Sequence, residues 1–177
     1  HFARQDSCAF LPCQTIDQHG VAACDYDGDG DWDLYVTVGA DRGQGTGPNQ
    51  FWMRDAQGKF NNSLPAKHVM ADPRGRGRGA LWVRLDNDRY PELLVLNYQT
   101  PARLFHFDGL SWRDRSQGVN PYLAPTPERR NFKTSRGLWL SLGATGDLDR
   151  DGHADLVLGG DGHFIFHNDG SGGLVDV

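Results

Sequence analysis

Three short stretches of the chain set oxygen-bearing side chains at alternate positions. The first is Asp25-Tyr-Asp27-Gly-Asp29-Gly30-Asp31-Trp-Asp33 and the third is Asp147-Leu-Asp149-Arg-Asp151-Gly152-His153-Ala-Asp155. Carboxylates at positions 1, 3 and 5 aim several hard oxygens into one small volume. Glycine at position 6 gives the backbone freedom for the sharp bend needed to wrap round an ion. A backbone carbonyl at position 7 and a carboxylate at position 9 complete a shell. Calcium takes about six to eight oxygens at roughly 2.3–2.6 Å, which such a loop supplies. Without a cation, four or five clustered carboxylates repel one another. Magnesium fits less well, because it demands strict octahedral geometry and keeps its water. An EF-hand is excluded: it needs Glu at position 12 between helices, and position 12 here is Val36 or Leu158 inside a strand-like run. One Asp-Gly turn alone would say little. Two full matches in register, with a degenerate third, predict calcium in the first and third loops.

The second stretch departs from this pattern. It reads Arg84-Leu-Asp86-Asn-Asp88-Arg89-Tyr-Pro-Glu92, with Arg at position 1 and Arg for Gly at position 6. A guanidinium at Arg84 would sit where the ion sits and pair with Asp86, Asp88 or Glu92. This loop is expected to be ion-free.

The loops recur with a period of about 60 residues, and the similarity extends beyond them. Gly20, Gly79 and Gly137 each open an apolar stretch before the loop. Leu34–Val38, Leu93–Asn97 and Leu156–Gly160 follow it. A further apolar segment, a Gly/Asp turn and another apolar segment come next. Each unit therefore predicts a four-stranded antiparallel meander. Repeated meanders of this length predict an all-β chain, a segment of a β-propeller with about three blades. The approximate blade limits are 1–60, 61–112 and 113–177. Closed propellers need roughly four to eight blades. The chain is accordingly expected to be an arc of a longer protein, or to pack against other subunits. Its start at His1 rather than Met fits a processed product or a fragment. Two connections are long: Asn61 to Arg78, carrying Arg74-Gly-Arg76-Gly-Arg78, and Asn120 to Arg136.

Composition agrees with this. The chain has 177 residues with 21 Asp against 2 Glu and 15 Arg against 3 Lys, so the best exposed helix formers are nearly missing. With 23 Gly and 9 Pro, turns are favoured over a helix bundle. A formal charge of −5 argues against a general nucleic-acid binder. No apolar run is long enough to span a membrane as a helix. Cys8 and Cys13 suit a local disulfide, with Cys24 a buried free thiol. That bridge would fit an oxidising compartment, as does the sequon at Asn61.

These loops resemble the calcium-binding FG-GAP/VCBS repeats of integrin-alpha-type β-propellers. Gly47-Pro48-Asn49-Gln50-Phe51 and Gly75-Arg76-Gly77-Arg78-Gly79 are similar to the branch containing cartilage acidic proteins and their bacterial relatives. The Phe-Gly and Gly-Ala-Pro elements that name the repeat are poorly preserved, Gly143-Ala-Thr-Gly146 being nearest. The resemblance implies a seven-bladed propeller in which calcium rigidifies the blade loops. It implies an extracellular, cell-surface or periplasmic location and an adhesive or scaffolding role. By position, its ligands are Asp25, Asp27, Asp29, the Asp31 carbonyl and Asp33. In the third repeat they are Asp147, Asp149, Asp151, the His153 carbonyl and Asp155. Some members are lectins, and related propellers are polysaccharide lyases. The partners implied are other proteins or subunits, with carbohydrate as the alternative, and neither nucleic acid nor a membrane.

Other chemistry is sparse. No Gly-x-Ser-x-Gly, His-Glu-x-x-His or phosphate-loop motif occurs, so an enzyme is not expected. His163 and His167 share a strand face and predict a surface or packed pair rather than a metal pair. Trp82 and Trp139 precede acidic loops and are expected in the core. Trp32 lies at a loop tip, where it is free to stack on a sugar or a partner.

Overall fold

The computed structural model describes residues 17–40, 45–117, 140–160 and 162–177. Short apolar runs bounded by Asp/Gly turns give three four-stranded antiparallel sheets there, with almost no helix. The first contains β1 (Asp17–Cys24), β2 (Asp33–Ala40), β3 (Gln50–Arg54) and β4 (Phe60–Asn62). The second contains β5 (Gly77–Val83), β6 (Glu92–Asn97), β7 (Arg103–Phe107) and β8 (Trp112–Asp114). The third contains β9 (Leu140–Gly146), β10 (Asp155–Gly160), β11 (His163–Asn168) and β12 (Leu174–Asp176). Every sheet is a meander in which chain neighbours are sheet neighbours. The expected all-β class and four-stranded units are therefore present. Cys8, Cys13, Gly137, Trp139 and the connection from Asn120 to Arg136 lie outside the described residues.

The repeats share one register. Leu34 pairs with Trp52, Leu93 with Phe105 and Leu156 with Phe166. One step back along each ladder, the position-9 acid stands opposite Met53, His106 or His167. The acidic loops thus all join the first two strands of their sheet at the same end.

The second sheet is sandwiched between the others. One of its faces, with Leu93, Val95 and Phe105, packs on Tyr35 and Phe51 of the first sheet and on Met70. The other, with Leu94, Leu96 and Leu104, packs on Leu156, Leu158, Phe164 and Phe166 of the third. Burial of each such side chain contributes about 1.5–3 kcal/mol. The first strands β1, β5 and β9 lie side by side, and small residues permit it. A Cβ on Gly20 would come within 2.7 Å of the Gly79 Cα, and one on Gly79 within 2.8 Å of the Ser141 carbonyl oxygen. Two of the glycines that open each repeat are thus the places where backbones meet.

A buried polar knot fixes the long connection after the first sheet. The Tyr35 hydroxyl donates to the Met70 carbonyl (2.6 Å) and accepts from Asn49 Nδ2 (2.9 Å). Asn49 Oδ1 in turn accepts from the Val38 N–H (2.8 Å). Met70 belongs to a 3₁₀ turn, Val69–Ala71. Tyr26, at position 2 of the first loop, stacks on Trp82 and Trp112 of the second sheet. Trp82 is therefore packed in the core, as expected.

Candidate metal centres

Each acidic loop is a chain of side-chain-to-backbone bonds. Position 3 accepts from the N–H of position 5: Asp27 from Asp29 (3.3 Å), Asp86 from Asp88 (3.1 Å) and Asp149 from Asp151 (3.1 Å). Position 5 accepts from the N–H of position 7: Asp29 from Asp31 (2.8 Å), Asp88 from Tyr90 (2.7 Å) and Asp151 from His153 (2.8 Å). Position 9 reaches back to the N–H of position 2: Asp33 to Tyr26 (3.2 Å), Glu92 to Leu85 (2.9 Å) and Asp155 to Leu148 (2.8 Å). These Asx turns explain the Asp spacing locally, since short carboxylates bond the backbone two residues on.

Position 1 separates the loops. Asp25 accepts from the Gly28 and Gly30 N–H groups (2.9 and 3.1 Å), and Asp147 from those of Asp151 and Gly152 (both 3.1 Å). Gly30 and Gly152 have φ of 92° and 95°, in the left-handed region that favours glycine. Position 4 is left-handed as well, at Gly28 (76°) and Arg150 (68°), a requirement the sequence reading overlooked. Neither Asn87 nor Arg89 of the second loop has a positive φ. The position-6 glycine is therefore replaced where the backbone no longer needs it.

Arg84 does not do what its position suggests. It is exposed and donates to the Asp88 carbonyl (3.2 Å) rather than to a carboxylate. Asp86 is paired with Arg115 instead (3.3 Å), and Glu92 with His106 (2.8 Å).

Donor atoms of Asp25, Asp27 and Asp29 lie within 4.8 Å of one another, as do those of Asp147, Asp149 and Asp151. All six residues are exposed. Asp31 turns its side chain to the Arg54 guanidinium, and the His153 ring packs against Gly170, so neither position-7 side chain joins its trio. Asp33 and Asp155 are buried, and each accepts a second N–H from β3 or β11: Arg54 (2.9 Å) and Asn168 (3.0 Å). The carboxylates at positions 1, 3 and 5 are hard oxygen donors of the kind an oxygen-seeking divalent ion takes, while Asp33 and Asp155 at position 9 stand outside the two aspartate trios.

No family model matches the chain, and no curated protein matches it either.

The two position-9 acids differ electrostatically. Burial pushes the Asp33 carboxyl up, and the charges of Asp27 and Asp29 add to this. The Asn168 and Leu148 N–H groups hold Asp155 below the usual range, with help from His167. That histidine shares a face of β11 with His163, and its Nδ1 lies 3.2 Å from Asp149 and 3.3 Å from Asp155. Its register opposite position 9, visible once the repeats are aligned, was the signal. Cys24 is half-buried rather than buried, and burial, then the Asp25 and Asp33 charges, push its thiol up. That is the reverse of an activated nucleophile.

Proposed function

We propose that this chain is an arc of an extracytoplasmic β-propeller of the FG-GAP/VCBS type. In this reading it holds two calcium ions, in loops 25–33 and 147–155, and serves as an interaction or assembly scaffold. The observation that carries the reading is the pair of matched aspartate trios, at equivalent points of two repeats, with donors converging to within 4.8 Å. The shared register and the side-by-side first strands support the propeller geometry. The outer face of the third sheet supports an arc that continues or assembles. Ile165 lies on it and is exposed, whereas its counterpart on the second sheet, Leu104, packs against the third sheet, and Leu142 on the same outer face is exposed as well. Leu148 is exposed where the equivalent Tyr26 and Leu85 pack on the following sheet.

Each ion would tie together the two strands flanking its loop and offset the crowded negative charge. Calcium should therefore raise the unfolding temperature by mass action. Asp29→Ala and Asp151→Ala should each remove part of that rise. Unfolding temperatures of both variants that match the parent chain, in calcium and in chelator alike, would refute the calcium reading. A second reading, carbohydrate binding, rests on Trp32, whose side chain is 62% exposed at the tip of the first loop. Glycan binding lost in Trp32→Ala would favour it. Glycan binding retained in that variant, or none at all, would not.

A further inference from the structure

The second loop lacks a carboxylate at position 1, yet it gathers a different donor set. Glu92 and His106 are 1% and 5% exposed, and Glu92 Oε1 lies 2.8 Å from His106 Nδ1. One donor atom each of Asp86, Glu92 and His106 falls within 4.8 Å of the others. Glu92 is one of only 2 glutamates in a chain with 21 aspartates. Its extra methylene has a consequence. Oε2 still accepts the Leu85 N–H, the duty Asp33 and Asp155 perform, while Oε1 is left to face the imidazole.

The imidazole is not required to hold the sheet together. The first repeat places Met53 at the same register, and Asp33 is satisfied there by two N–H groups. Asp149, Asp155 and His167 also converge in the third repeat, but there Asp149 is shared with the Asp147 and Asp151 trio proposed to hold calcium, whereas Asp86 belongs to no such trio. Asp86 and Glu92 line a cleft of about 630 Å³ between the second and third sheets, which offers an ion a way in. On the far side of the ring, His106 Nε2 lies 3.8 Å from Asp88 Oδ2.

We propose that Asp86, Glu92 and His106 form a centre for zinc or a similar divalent transition ion, chemically distinct from the calcium loops. Two carboxylates and one imidazole suit such ions, whereas calcium seeks six or more oxygens. Nitrogen and oxygen 2.8 Å apart can both bind one ion at about 2.0–2.2 Å. An ion there would have to displace the half-exposed Arg115 from Asp86. Three protein donors leave the remaining position open to the cleft. The assignment stands whether or not the first and third loops bind calcium.

The test is a titration of the 177-residue chain, stripped with chelator, with zinc in the presence of saturating calcium. Heat and a cobalt(II) absorption band are the readouts. The expected result is one zinc per chain, with affinity on the order of 100-fold weaker in His106→Ala and in Asp86→Asn. Asp86→Asn alters a side chain at the cleft wall, so a folding defect in His106→Ala leaves the test intact. His163→Ala, at an exposed residue outside every convergent cluster, should change nothing. Absence of zinc binding, zinc displaced by calcium, or zinc lost in His167→Ala but kept in His106→Ala would each overturn the assignment.

Discussion

Truncation of Asp155 separates the scaffold of an acidic loop from its ion. Its carboxylate accepts the Leu148 N–H (2.8 Å) and the Asn168 N–H (3.0 Å) and is itself buried. Asp155→Ala strands both donors. Each orphaned buried group costs about 1–3 kcal/mol. The Leu148 end is partly open to water, so the loss should total about 2–4 kcal/mol. At about 2–4 °C per kcal/mol, that lowers the unfolding temperature by about 5–15 °C. The assay is thermal unfolding followed by circular dichroism in chelator, so that no ion contributes. Asp155→Asn keeps one acceptor oxygen and should fall between the two. The effect should also depend on pH. The folded carboxyl titrates below its ordinary value of about 3.9, so its contribution is complete above that pH. It is lost as pH falls through the lower, folded value. Parent and Asp155→Ala should therefore converge in acid. A variant that melts with the parent in chelator near neutral pH would refute the claim that position 9 bolts the loop to the sheet.

Other outcomes follow from the same contacts. Tyr35→Phe removes the donor to Met70 and the acceptor for Asn49 from a fully buried site, and urea unfolding should show a loss of about 1–3 kcal/mol. Leu94→Ala, at the buried junction of the second and third sheets, should cost about 2–5 kcal/mol by the same measurement. Trp32→Ala, at an exposed tip, should change stability by less than about 0.5 kcal/mol. Arg84→Asp alone should not create a calcium site, because the second loop lacks the left-handed backbone at positions 4 and 6; calorimetry with calcium reports this directly.

Much of the fold was legible because the repeat amplified weak local signals. One Asp-Gly turn is ambiguous, but three copies in step locate the strands on either side. The glycines at 20 and 79 could be noted in the sequence, while their purpose could not. It emerges only when β1, β5 and β9 lie together. The ligand trios were legible because Asx turns are local. The contributions of His106, His167 and Arg115 were not, since strand register and sheet packing bring them to the loops. Arg84 was misjudged for the same reason: its position is a local fact, but the partners of Asp86 and Glu92 are not.

Two of the three acidic loops are proposed to hold calcium. Native mass spectrometry of the parent chain, with calcium and after chelation, counts the ions directly. Two calcium ions per chain are expected, falling to one in Asp29→Ala or Asp151→Ala and to none in the double variant. A parent chain that carries no calcium, or the same number bound in the variants as in the parent, would contradict the proposal.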